Sequence, residues 1–376
     1  MRMPRPKRAK PSPSLVWTAL GFLLLLPGTR NLARAQATNP VFPNSFKAQP
    51  WPKADRLFRT GPRWLGGDDA YSIDLGNGRV LWLFGDSFIA KKPGDSRQNS
   101  VMVRNSVAIQ KGYDPARAKM TFYWGERDGH PFDFAPGEGK LWLWPNQGIR
   151  LGSHLLLFYS RVAPDKRKDS LGFQSAGWTA FLVDNLDRQP SEWKLHKLAV
   201  PEGRGNIIFG MSVLRMSRFV YAFGHSEPEH DVYLIRWPLA EAARGDLSSP
   251  EWWCGDAWSA NPALRRPLLR DVSSEFSVQR DPHGRGFIEV NSQGFGASII
   301  VARFAPRLEG PWSKARGIYR PPESNRPDAF VYGGKSHPGL TGADVVITYV
   351  ANSSSFGTLV KDTSIYFPRF VRLDLH

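Results

Sequence analysis

The chain has 376 residues, 50 Lys and Arg against 34 Asp and Glu, a single cysteine and a formal charge of +16. The lone Cys254 excludes an internal disulfide and a cysteine-based zinc cluster, so the fold must rest on its core. The charge is of the size seen in nucleic-acid binders. Its basic residues are scattered, however, and no helix-turn-helix, finger or stacking-platform pattern accompanies them, so nucleic acid is not an expected partner.

The N-terminus carries Arg2, Arg5, Lys7, Arg8 and Lys10, then an apolar run from Leu15 to Leu26 closed by Pro27 and Gly28. Small residues follow in Ala33-Arg34-Ala35 and Ala35-Gln36-Ala37. This order predicts a cleavable signal peptide over 1–37, with an uncleaved anchor as the alternative. The run is shorter than the roughly 20 residues that span a bilayer. The expectation is a secreted or periplasmic protein with no membrane span after cleavage. Seven of the positive charges lie in this segment, which leaves +9 on 38–376. That excess reads as a solvated surface or as attraction to an anionic envelope or polymer.

Five apolar, aromatic-bearing strands recur along 38–376: Arg79–Asp86, His154–Ser160, Phe219–His225, Gly286–Ser292 and Asp344–Val350. Their starts are 75, 65, 67 and 58 residues apart. Three of them are followed by a further strand (Trp178–Val183, Val232–Trp237, Ser298–Arg303) and then a turn ending at Trp193, Trp252 or Trp312. Gly and Pro punctuate the chain throughout, and only Leu239 to Arg244 suggests helix. Regular sheet units of this kind predict an all-β fold, a five-bladed β-propeller of about four strands per blade. A β-sandwich or jelly roll is the alternative. The last strand, Tyr366 to Leu375, is expected to close the ring against the first blade. No linker divides 38–376, which is read as one domain.

Polar residues at strand ends carry the candidate chemistry. Asp68 and Asp86 flank the hairpin signal Gly76-Asn77-Gly78, which can bring both carboxylates to the same end of one blade. Two carboxylates beside a sugar-sized cleft are what hydrolysis of a glycosidic bond requires: one ionised, one protonated. The structural alternative is that these acids cap turns. Glu275 opens a strand and is a third catalytic candidate, or else the partner of Arg280 or Arg270. His337, ending a strand in Tyr332-Gly-Gly-Lys-Ser-His337, is a substrate contact, a tuner of an aspartate, an ion ligand or a buried structural histidine. Trp144 and Gln147, in Trp144-Pro-Asn-Gln147, and Asn105 offer a ring and amides of the kind that bind sugars. Gly-x-Ser-x-Gly, His-Glu-x-x-His, P-loop and dinucleotide motifs are all missing from the sequence. No cofactor or metal is therefore expected at the site, although a structural channel ion such as calcium is compatible with the fold.

The ordered set Gly67-Asp68-Asp69-Ala-Tyr-Ser72, Leu81–Phe88, Arg104-Asn-Ser106, Trp144-Pro-Asn146, Ser274-Glu-Phe-Ser277, Gly310-Pro-Trp312, Tyr332 with His337-Pro338, and Tyr366–Phe370 resembles the domain-of-unknown-function 4185 family. That resemblance implies a five-bladed propeller akin to glycoside hydrolase families 43 and 32, with relatives in family 183 that are endo-D-arabinanases. It implies Asp68 and Asp86 as the acid and base pair and leaves Glu275 less defined. Asp69 stands where a small residue is expected, so either adjacent acid could face the pocket. The expectation is a secreted glycoside hydrolase cleaving an arabinan-like or envelope-derived polysaccharide, with inversion. The alternative is an inactive propeller that binds glycan or an envelope protein. The oligomeric state is not legible in the sequence.

Overall fold

The computed structural model describes residues 43, 45–167, 172–201, 207–294 and 298–376. The expected signal peptide over 1–37 lies outside these residues. The described chain is built mostly of β-strands, with helices of no more than six residues. Among the described residues no helix is long and apolar enough to cross a membrane.

Five antiparallel sheets follow one another along the chain. The first contains Tyr71–Gly76, Arg79–Phe84, Ser106–Lys111 and Lys119–Tyr123; the second contains Trp142–Leu151, His154–Pro164, Phe173–Val183 and Leu195–Lys197. The third begins with Ile207–Met216, Phe219–Ser226 and Val232–Pro238, and the fourth runs from Phe276–Arg280 to Arg316–Tyr319. The fifth joins Phe330–Ser336, Val345–Asn352 and Arg369–Leu375 to the early strand Phe46–Pro50. The C-terminal strand thus closes on the segment that precedes the first sheet, with Phe46 opposite Leu375 and Pro50 opposite Val371, and not on the first sheet itself. A small sheet of Trp64–Gly67, Ser87–Ala90 and Ser100–Val103 extends the first sheet's loops.

The period of two along a strand explains how the sheets pack. In the first sheet Leu81 and Leu83 enter one cluster with Leu155, Leu157 and Tyr159 of the second. The alternate residues Val80, Trp82 and Phe84 enter another with Val346 and Phe370 of the fifth. Leu156 and Phe158 turn from the second sheet toward Phe209, Phe223 and Trp237 of the third, where Phe276 and Val278 of the fourth join them. Ile288 and Val290 of the fourth meet Val345 and Ile347 of the fifth. Each sheet is therefore apolar on both faces, which is why its second strand reads as a continuous apolar run.

Polar side chains stitch each sheet's first strand to the next. Gln147 Oε1 accepts the Val213 amide at 2.7 Å, and Ser212 Oγ donates to the Val278 carbonyl at 3.1 Å. Ser277 and Ser336 hydroxyls are 2.8 Å apart, and His337 Nδ1 lies 2.9 Å from Ser72 Oγ. The last of these joins the fifth sheet to the first. Several of these strands are bulged, between Pro145 and Gly148, Phe209 and Ser212, and Tyr332 and Lys335. The bulges turn polar side chains out of the ladder toward a neighbouring strand.

Candidate active site

The hairpin of the first sheet pairs Tyr71 with Leu83 and turns at Asn77 and Gly78, both at positive φ (55° and 72°). That is the two-residue turn an Asn-Gly pair favours. The chain just outside the hairpin continues the pairing: the Asp68 amide donates to the Asp86 carbonyl at 2.8 Å, and the Gly85 amide donates to the Asp68 carbonyl at 2.8 Å.

Asp69 adopts φ 56°, a left-handed conformation that aspartate tolerates better than most residues. It is 7% exposed, and its Oδ1 accepts a hydrogen bond from Lys335 Nζ, itself 1% exposed. Lys335 also lies 3.8 Å from Glu275 Oε2 and 4.3 Å from the centre of the Tyr71 ring. Tyr332 donates its hydroxyl proton to Asp68 Oδ1 and accepts from Asn352 Nδ2 at 2.9 Å. Tyr332 and Lys335 are three residues apart, which in a regular strand would send them to opposite faces. The bulge between them adds one residue, so their partners Val350 and Thr348 are two apart and both side chains reach the cluster. Gly333, at φ 65°, leaves room for this: a Cβ there would lie 2.9 Å from Glu275 Oε2 and 3.1 Å from Asp69 Oδ1.

Asp86 has a separate set of partners. Arg104 donates to Oδ2 at 3.1 Å and Trp144 Nε1 to Oδ1 at 2.9 Å, while the Tyr366 hydroxyl donates to the Asp86 carbonyl at 3.0 Å. Arg104 is 42% exposed and lies over the Trp142 ring at 4.5 Å, so this side of the cluster opens to solvent.

Burial dominates the protonation of the three acids. It pushes Asp68 up to about 7, with the Tyr332 hydrogen bond pulling the other way and the charges of Asp69 and Asp86 adding to the rise. Glu275 is driven well above the usual carboxylate range, first by burial and then by the charge of Asp69. Asp86 is also raised by burial, but the Arg104 guanidinium and the Trp144 N–H oppose the shift. One small region thus contains carboxylates whose surroundings favour different protonation states, the condition for dividing acid and base roles.

The structure brings Asp68, Asp69, Glu275 and Tyr332 together around Lys335, with Asp86 and Trp144 bonded beside Asp68. For three residues expected to contact substrate it gives another role. Asn105 is 1% exposed and its amide is used up by the Ala135 amide and the Ala135 and Leu143 carbonyls. Gln147 commits its oxygen to Val213 and Ser212. His337 is 2% exposed with Ser72 and Thr348 on its two ring nitrogens, and burial lowers its pKa well below the usual range. All three hold sheets or loops together. Lys335, Arg104 and Tyr366 were not legible as site residues. The signal available for Lys335 was a lysine placed by Gly333-Gly334 at the end of the strand that begins Phe330-Val331-Tyr332, where a cation must find buried acids.

The chain is a mostly β-strand protein of successive packed sheets, with a buried carboxylate, lysine and tyrosine cluster beside a semi-open arginine. It belongs to the family described as Domain of unknown function (DUF5005), whose model matches residues 53–375. This corrects the resemblance to the 4185 family and removes the arabinanase implication that came with it. The motifs behind it are short and sit at strand ends and turns such as Gly85-Asp86, where backbone geometry restricts residue choice. No curated protein matches the sequence.

Among solved structures, the chain is similar to a Bacteroides ovatus protein assigned as a hydrolase, at TM-score 0.69 and 16% identity over 87% of this chain and 90% of that one. It is more loosely similar to an α-L-arabinofuranosidase of Podospora anserina solved with cellotriose (TM-score 0.48, 14% identity, 89% of this chain and 98% of that one). An endo-arabinase of Bacteroides thetaiotaomicron gives TM-score 0.43 and 13% identity over 82% and 94% of the two chains. At such identities the first likeness establishes a shared fold and leaves the chemistry to be argued from the site.

Proposed function

We propose that this protein is a glycoside hydrolase of five-bladed propeller architecture, exported from the cell and acting on an envelope-derived polysaccharide. The blade count is supported by the packing of five successive sheets, each on its neighbours and the fifth on the first. The carrying observation for function is the contrast among neighbouring acids: Glu275 held toward its neutral form, Asp68 titrating near neutrality, Asp86 fixed by a cation and an N–H.

In this reading Glu275 donates its proton to the glycosidic oxygen as the carbon–oxygen bond breaks. Asp68 takes a proton from the water that attacks the anomeric carbon, and Asp86 supplies a fixed negative charge beside it. Direct attack by water makes the course inverting. Trp144, half-buried and packed on Phe173 at 4.7 Å, is the aromatic surface available to a sugar ring. Export rests on the segment 1–37, and N-terminal sequencing of protein recovered outside the cytoplasm tests it by reading a start near Thr38.

A glycan-binding ring without catalysis is the second reading. It draws on Lys335, which neutralises the acids around it as a purely structural cluster would. Product release from a panel of polysaccharides, comparing the parent with Glu275→Gln and Asp86→Asn, separates the two. Release by the parent with a loss of roughly 10²–10⁴-fold in the variants supports catalysis. Glycan binding retained in all three proteins with no release from any substrate supports the binding ring.

A further inference from the structure

The hairpin between strands Phe219–Ser226 and Val232–Pro238 carries His225-Ser-Glu227-Pro-Glu-His230. The Ser226 amide bonds the Asp231 carbonyl at 2.9 Å and the His230 amide bonds the Ser226 carbonyl at 3.0 Å, so the tip is a tight, self-bonded turn. His225 is 1% exposed, and its Nε2 lies 3.0 Å from the Val272 carbonyl. A carbonyl only accepts, so Nε2 carries the proton and Nδ1 carries the lone pair. That Nδ1 faces Glu227 Oε1 at 3.4 Å. His230 brings its Nε2 to 4.0 Å from Glu227 Oε2, and one ligand atom from each of the three residues falls within 4.8 Å of the others.

We infer that His225, Glu227 and His230 bind a divalent transition-metal ion of the zinc class, at a site separate from the carboxylate cluster. Two ligands of a tetrahedral zinc with bonds of about 2.0–2.1 Å stand roughly 3.3 Å apart, which is the spacing between His225 and Glu227. A ligating histidine ordinarily gives its other N–H to a carbonyl or carboxylate, and His225 gives its own to Val272. Two imidazoles and one carboxylate suit zinc, cobalt or nickel better than calcium or magnesium, which prefer all-oxygen shells. Glu227 and His230 are 40% and 53% exposed, so an ion enters without unfolding and keeps a position open to water. The bond to Val272 ties the site to the loop that ends in Glu275, where Ser273 Oγ donates to the Glu275 carbonyl at 2.9 Å. A bound ion would therefore steady the segment carrying that acid.

The test is calorimetric titration of chelator-treated protein with zinc chloride, with the visible spectrum of the cobalt-loaded protein as a second readout. The expected result is one ion per chain, a tetrahedral cobalt spectrum, and affinity at least tenfold weaker in both His230→Ala and Glu227→Gln. A control substitution distant from the hairpin, His283→Ala, should bind like the parent. No stoichiometric binding by the parent, or equal binding by all variants, overturns the inference and leaves a shared proton between His225 and Glu227 as the explanation of their approach. The parent titration and cobalt spectrum decide the matter even if one variant fails to fold. The readout is independent of whether the protein cleaves glycans.

Discussion

Asp68 and Asp86 are joined through their main chains, the amide of the first bonding the carbonyl of the second at 2.8 Å, while their side chains take different partners. Asp68 is bonded by a neutral hydroxyl from Tyr332, and Asp86 by the guanidinium of Arg104 and the indole of Trp144. The hairpin thus fixes the separation of two acids and lets the rest of the ring set their charges independently.

The Tyr332 hydroxyl lowers the pKa of Asp68, which burial nevertheless raises to about 7. If Asp68 is the base, kcat/KM rises as pH climbs through that value and falls when Glu275 ionises. Tyr332→Phe removes the stabilising donor, so the rising limb should move to higher pH by about one unit. A pH–rate profile of the two proteins checks this, and an unmoved limb would assign the base elsewhere.

The same shift has a stability consequence. The ordinary value of Asp68 is 3.8 and its folded value is about 7. Between these the folded chain holds a proton that the unfolded chain has released, so stability falls as pH rises through the window. Asp68→Asn escapes that loss. It should be more stable than the parent by about 1–2 kcal/mol at pH 8, after allowance for partial solvent access, and equal to it near pH 3.5. Denaturant titrations at the two pH values test the sign directly.

Lys335 is the one cation bonded within the Asp69 and Glu275 group among the described residues. Lys335→Met leaves Asp69 buried with an uncompensated charge and should cost about 3–5 kcal/mol at pH 7. Adding Asp69→Asn should recover much of that loss. Urea unfolding of the single and double variants measures the coupling, and additive costs would show that the ion pair is not what Lys335 supplies.

Gly333 combines φ 65° with a position where a Cβ would crowd Glu275 and Asp69. In Gly333→Ala the left-handed backbone alone costs about 1–2 kcal/mol. The nearer contact is the movable end of Glu275, so the carboxyl shifts while the strand holds. The expected outcome is a folded protein with kcat down by about 10–100-fold, the cost of a misplaced acid. Circular dichroism alongside the assay separates this from simple unfolding.

The all-β class and the five apolar strands could be read directly from the chain, because burial on both faces leaves a continuous apolar run that local composition records. The Asn77-Gly78 turn was equally legible, since few residues accept positive φ at both positions. Those local features also placed Asp68 and Asp86 at one strand end. What the tertiary structure decided was which polar residues meet across sheets. Lys335 reaches Asp69 because a bulge reverses the face it would otherwise take, and that register is set by pairing with Val345–Asn352. Asn105, Gln147 and His337 have the side chains of sugar ligands, yet the ring spends them on its own backbone and hydroxyls. A sequence states what a side chain can bond; the partner it finds lies from 30 residues away, as for Asn105, to 265, as for His337.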